Sequence, residues 1–131
     1  MLPTIFERRL ARRLAIRAKA LIKRGWTRQR LAADACGREV KPAERQACRW
    51  CIEGAVSRAF TNVWREQLSA KRRLSLAVAK LLLREMLIRS LPRGFGRRLH
   101  AWNDRRGRTK REVIALLDTV ILRLSEFAVA A

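Results

Sequence analysis

From Val113 onward the apolar residues return at every third or fourth position: Val113, Leu116, Leu117, Val120, Ile121, Leu124 and Phe127. That spacing lines one face of a helix, whereas a half-buried strand would alternate with period two. Thr109, followed three residues later by Glu112, is a capping box that marks where this helix starts. The helical period recurs along the chain, and no stretch alternates long enough to suggest a sheet. The fold class expected is therefore all-α, a compact single-domain bundle of four to six helices.

The first helix is expected from Thr4 to Arg24. Phe6, Leu10, Leu14, Leu21 and Ile22 trace its apolar face, with Arg8, Arg9, Arg12, Arg13, Lys19 and Lys23 crowding the remaining surface. Gly25 reads as a left-handed stop with Trp26 behind it. Thr27 can then cap a short helix from Arg28 to about Ala35, ended by Gly37. After a loop, Arg38–Lys41, Pro42 suits the first position of a helix running to about Phe60, and Glu44 sits in its first turn. Its buried stripe reads Cys48, Cys51, Ile52, Ala55, Val56, Ala59 and Phe60. Gly54 inside that stripe implies close approach of a neighbouring helix. A further helix, capped by Thr61 or Asn62, should span Val63–Ser90, with a candidate break near Ser69. From about 74 to 91 it is apolar on most sides, which suits the central helix of a bundle. Pro92 ends it, Arg93-Gly94-Phe95-Gly96 forms a connector, and Arg97–Trp102 makes one or two helical turns.

Charge separates this chain from an ordinary bundle. Thirty-one Lys and Arg oppose eleven Asp and Glu in 131 residues, a formal net charge of +20. Yet 49% of the residues are hydrophobic, so the excess is not that of a disordered basic tail. Twenty-five of the basic residues are Arg, whose guanidinium forks pair with phosphate oxygens. A folded domain with this charge repels itself unless a polyanion neutralises it. Residues 1–30 hold ten basic side chains and one acid, Glu7, while Arg93–Arg111 holds eight and one acid, Asp104. Lys71-Arg72-Arg73 is a third cluster. The expected phosphate ligands are Arg8, Arg9, Arg12, Arg13, Arg72, Arg73, Arg97, Arg98, Arg105, Arg106 and Arg108. The partner expected first is nucleic acid, DNA or RNA. An acidic protein partner comes second, and an anionic membrane, met by the first helix, third. Arg28, Gln29 and Arg30 can also be read as the start of a recognition helix in a helix-turn-helix.

Catalysis is not expected. One histidine, His100, and few carboxylates leave little for acid/base chemistry, and there is no phosphate-cradling glycine loop or nucleophile elbow. No cofactor and no small-molecule substrate are implied. Cys36, Cys48, Cys51 and His100 could supply a tetrahedral zinc site, but Cys48 and Cys51 read more simply as small core residues. Asn103, Asp104 and Arg108 read as turn and capping residues. Three cysteines make no disulfide framework, so a reducing cytoplasm is the default. The Arg-rich start overlaps with transit peptides but lacks serine. The most apolar run, Leu74–Leu91, is interrupted by Lys80, Arg84, Glu85 and Arg89, so no membrane span is expected.

Two segments carry distinctive strings. Gly25-Trp26-Thr27, Ala33-Asp34, Gly37 and Trp50-Cys51-x-x-Gly54-Ala55 form the first. Trp102-Asn103-Asp104-x-x-Gly107-Arg108-Thr109-x-x-Glu112-Val113, with Leu117-Asp118, forms the second. Together they resemble a small family of unknown function from bacteria, notably actinobacteria, and their phages. The resemblance covers roughly Lys23–Phe60 and Trp102–Arg123. It implies a compact helical domain and supplies no activity. Members of that family are much less basic, so the charge excess is this chain's own departure.

Overall fold

The computed structural model describes residues 3–67 and 69–130, with side chains described as far as Ser125. Five helices lie among them: α1 (Ile5–Arg24), α2 (Ile52–Glu66), α3 (Ala70–Arg89), α4 (Leu99–Asp104) and α5 (Lys110–Ala130). Three two-residue strands, β1 (Ala32–Ala33), β2 (Glu39–Val40) and β3 (Arg49–Trp50), join in the order β2-β1-β3. Both pairings are antiparallel, with Ala32 opposite Val40 on one side and Trp50 on the other.

α1 opens on a capping box: the Thr4 hydroxyl accepts from Glu7 N–H, and the Glu7 carboxylate accepts from Thr4 N–H. Its buried stripe is Leu10, Ala11, Leu14, Ala15, Ala18, Leu21 and Ile22. The alanines let other backbones come close, and α1 packs against α2, α3 and α5 together. It thereby takes the middle of the bundle. Residues 74–91, expected there, mostly form α3, which buries Leu76, Ala79, Leu83, Leu87 and Ile88 but leaves Leu74 and Leu81 each 68% exposed. Phe6, expected in the core, is exposed. α5 starts on the Thr109–Glu112 box and buries Val113, Leu116, Leu117, Val120 and Leu124. Phe127 lies outside the residues whose side chains are described. Each fully buried leucine contributes about 1.5–3 kcal/mol relative to exposure.

The region between α1 and α2 departs from expectation. No helix forms over Arg28–Ala35. Gln29 turns the chain with φ 67°, and Ala32 and Ala33 enter a buried strand. Two-residue strands carry no readable alternation, which is why the sheet left no sequence signal. The helix does not start at Pro42 either. Residues 41–47 make successive turns, and the Pro42 carbonyl accepts from the Trp50 indole and the Arg58 guanidinium. α2 begins ten residues later, where the Cys51 sulfur accepts from Gly54 N–H as a cap. Cys48 and Cys51 therefore sit before the helix and not on its stripe.

Gly25 and Gly54 are both dictated by close approach. A Cβ on Gly54 would stand 1.8 Å from the Leu31 carbonyl oxygen, and one on Gly25 would stand 2.1 Å from that of Cys48. The neighbour of Gly54 is thus loop backbone, not a helix. Gly25 is extended, with φ −171°, so it is not a left-handed stop. The break near Ser69 does occur: α2 ends at Glu66, and the Ser69 hydroxyl accepts from Arg72 N–H to start α3.

Candidate nucleic-acid interface

One buried side chain joins three distant segments. Asn103 is fully buried at the end of α4. Its Oδ1 accepts from the Trp26 indole at 3.0 Å and from Ile52 N–H at 3.1 Å. Its Nδ2 donates to the Thr27 carbonyl at 3.3 Å and to Asp104 Oδ1 at 2.9 Å. Asp104 Oδ1 in turn accepts from Gln29 N–H at 2.8 Å. Backbone bonds complete the junction, Trp50 N–H to the Gly25 carbonyl and Thr27 N–H to the Trp50 carbonyl. Gly25-Trp26-Thr27, Trp50-Cys51-Ile52 and Trp102-Asn103-Asp104 thus meet at one point. Asn103 and Asp104, expected to be turn residues, are the centre of this junction and hold the Thr27–Arg30 turn in place.

Arg108 belongs to the same structure. Its Nε donates to the Trp102 carbonyl at 2.8 Å, its guanidinium lies 4.1 Å from the Trp102 ring centroid, and Nη1 reaches Glu112 at 2.8 Å. With a side chain only 10% exposed, it stacks and braces instead of presenting a fork to solvent.

The other expected phosphate ligands divide. Arg13 joins Arg17 on Glu66, Arg97 joins Arg89 on Glu85, and Arg12 donates to Ser125. Arg98 donates to the carbonyls of Gly94 and Phe95. Arg73 lies 5.0 Å from the Trp64 ring centroid, with a buried Nε that has no hydrogen-bond partner among the described residues. Arg105 is exposed beside Phe95, and Arg8 is half-buried near Arg89 and Arg123. Arg9, Arg72 and Arg106 are exposed and make no side-chain hydrogen bond or ion pair with the described residues.

The connector meets both ends of α1: Arg97 shares one cleft with Pro3, which shares another with Arg8. The Lys110 ammonium donates to the Lys23 carbonyl, and Asp104 holds Gln29. The second half of the connector therefore meets the C-terminal end of α1. Lys23 and Lys110 touch there, with Arg24 and Arg111 beside them in the chain. Arg8, Arg9, Arg12 and Arg13 occupy the other end of α1, about 20 Å away at 1.5 Å per residue. Lys23, Arg24 and Arg111 were absent from the expected ligand set. Nothing in their local sequence distinguishes them, because only the antiparallel packing of α1 on α5 brings them together.

Most of the described acids are already engaged, Glu39 and Glu44 being the exceptions. Glu53 pairs with Arg84, Asp118 with Lys19 and Asp34 with Arg38. The Arg97 fork, helped by Arg89, pulls the Glu85 carboxyl down to about 2. Arg17 lowers Glu66, and the Thr109 backbone N–H lowers Glu112. Few described carboxylates remain for the exposed cations at the Lys23–Arg111 end.

The cysteines and His100 do not converge. Cys36 is exposed, Cys48 half-buried and Cys51 buried as a helix cap. His100 is exposed. Among the described residues no group of three or more His, Cys, Asp or Glu could hold a metal ion. No helix of the described residues is long and apolar enough to cross a membrane.

The protein is thus a compact helical domain with a small sheet pinned to one end by a buried asparagine. It belongs to a family of unknown function, DUF6197, whose model matches residues 7–123. The motif strings around Trp26, Trp50 and Trp102 lie inside that match. No curated protein matches the chain. No solved structure matches it.

Proposed function

We propose that this protein binds nucleic acid, mainly through phosphate contacts, as a small regulator of bacterial or phage origin. The observation that carries the reading is the state of the charges. The described acids are largely used inside the fold, while Arg9, Lys23, Arg24, Arg72, Arg106 and Arg111 stand exposed with no side-chain partner among the described residues. Such a surface attracts a polyanion, and folded helices present it at fixed spacing. The two ends of α1 offer separate contact regions, which suits an extended duplex better than a compact anion. Arg108 takes no part, since Trp102 and Glu112 hold it.

Duplex DNA binding measured against salt tests this. With about six to ten phosphates neutralised, affinity should fall by about 10³ to 10⁵ between 50 and 200 mM salt. Absence of binding at 50 mM salt would overturn the proposal. A second reading, docking on another protein, is favoured by a largely apolar cavity of about 530 Å³ between α2 and α3, lined by Leu31, Val56, Phe60, Leu81 and Lys80, with Arg84 held by Glu53. A nuclease-resistant protein partner bound there would favour that reading. Retention on anionic vesicles would instead favour a membrane surface.

A further inference from the structure

The Thr27–Arg30 turn and β3 enclose a surface cleft of about 320 Å³, with Arg28, Arg30 and Arg49 among its walls. Among the described residues no carboxylate lines it. Asp104 and Asp34 are occupied within the fold, and Glu39, which flanks Ala33 on the side opposite Arg49, is exposed and lies outside the lining. Asp104 accepts from Gln29 N–H and Asn103, and Asp34 accepts from Cys36 N–H and Arg38.

The three guanidiniums are held differently. Arg30 is half-buried and donates one N–H to the Gly37 carbonyl, which leaves its other donors for a ligand. The Arg28 guanidinium stands 6.0 Å from the Trp26 ring centroid. Arg49 is exposed, its stem lies over Gly25, and it forms no side-chain hydrogen bond or ion pair with the described residues. Between Arg28 and Arg30, Gln29 adopts φ 67°, a left-handed conformation that residues with a Cβ rarely take. The Asp104 carboxylate holds it there, backed by the buried Asn103. Backbone strain maintained by a buried polar network is characteristic of binding surfaces fixed before the ligand arrives.

We propose that this cleft is a discrete phosphate-binding site, with Arg28, Arg30 and Arg49 as the ligands of one phosphate group. The ligand class rests on the polyanion reading above, and the geometry stands on the cleft itself. The phosphate comes from a free nucleotide or from a nucleic-acid backbone. Paired guanidinium forks recognise either source by the same chemistry.

Amide chemical shifts of the whole protein, followed during titration with inorganic phosphate, test the site. Saturable shifts at Arg28, Gln29, Arg30 and Arg49 are expected. The Arg28→Gln/Arg49→Gln variant should weaken binding at least about tenfold, while Arg45→Gln, at an exposed position away from the cleft, leaves it unchanged. Small, non-saturating shifts over all basic residues would overturn the site, as would unchanged affinity in the double variant at an intact melting temperature. If the double variant is unfolded, Arg49→Gln alone serves the same purpose. Tighter binding of adenosine monophosphate than of phosphate assigns the site to a nucleotide. A duplex that shifts the same amides and is displaced by phosphate assigns it to a backbone. A duplex that binds without touching these amides overturns the cleft and leaves the wider basic surface standing. Saturable phosphate binding without duplex binding at 50 mM salt overturns the nucleic-acid reading and keeps the cleft.

Discussion

Asn103 can offer two N–H donors and one acceptor oxygen, and all are used. The fully buried amide accepts from Trp26 and Ile52 and donates to Thr27 and Asp104. Truncation strands the buried Ile52 N–H and the part-buried Trp26 indole N–H, each costing about 1–3 kcal/mol. Asn103→Ala should therefore destabilise by about 3 kcal/mol or more, read as a lower midpoint in urea with an unchanged slope. It should also release the Gln29 turn, seen as loss of amide protection at Gln29. The cysteines differ as sharply. Burial pushes the Cys51 thiol up to about 11, and its sulfur is occupied by Gly54 N–H, whereas Cys36 is exposed. The thiolate is the reactive form, so a thiol-specific reagent at pH 8 should modify Cys36 at once and Cys51 only after denaturation. Equal rates in the native protein would contradict the buried cap.

At the scale of elements, legibility followed whether a signal was local. The Thr109–Glu112 box and the Val113–Leu124 stripe need only one helix to be read, and both occur as expected. The break at Ser69 is likewise a short-range cap. The Arg28–Ala35 helix failed because its hydrogen bonds go elsewhere: Gln29 N–H to Asp104, Cys51 N–H to the Leu31 carbonyl and Cys48 N–H to that of Ala33. Those partners lie far along the chain, and propensity does not register them. Between elements, Glu85 ties α3 to the connector through Arg97. Its carboxyl lies at about 2 when folded and near 4.3 when unfolded. A depressed folded value means stability that is present above pH 4.3 and lost as pH falls toward 2. The melting temperature should drop across that window, and the drop should be shallower in Arg97→Gln, because the variant lacks the contact that acid removes. An identical pH profile would remove the pair from the account.

For the whole molecule the dominant quantity is the net charge of +20. Self-repulsion of the compact state is screened by salt, with a Debye length of about 10 Å at 0.1 M. Between 10 and 300 mM sodium chloride the melting temperature should rise, opposite to the trend for a domain held by surface ion pairs. On the nucleic-acid proposal, duplex DNA should raise it further at low salt, since a ligand of the folded state stabilises it by mass action. A melting temperature that falls with salt would mean that pairs such as Arg13–Glu66 outweigh the repulsion.

The amino-acid order alone determined the helical class, the capped α5, the break before α3 and the excess of arginine over acid, because periodicity, capping and composition act over a few residues. The tertiary structure decided where the charges and motifs lie. Packing placed α1 at the centre, brought the connector to both its ends and turned Arg108 inward onto Trp102. It also brought Trp26, Ile52 and Asn103, far apart in the chain, onto one amide. A buried polar group must find its partners wherever the fold places them, and no local pattern states where that is.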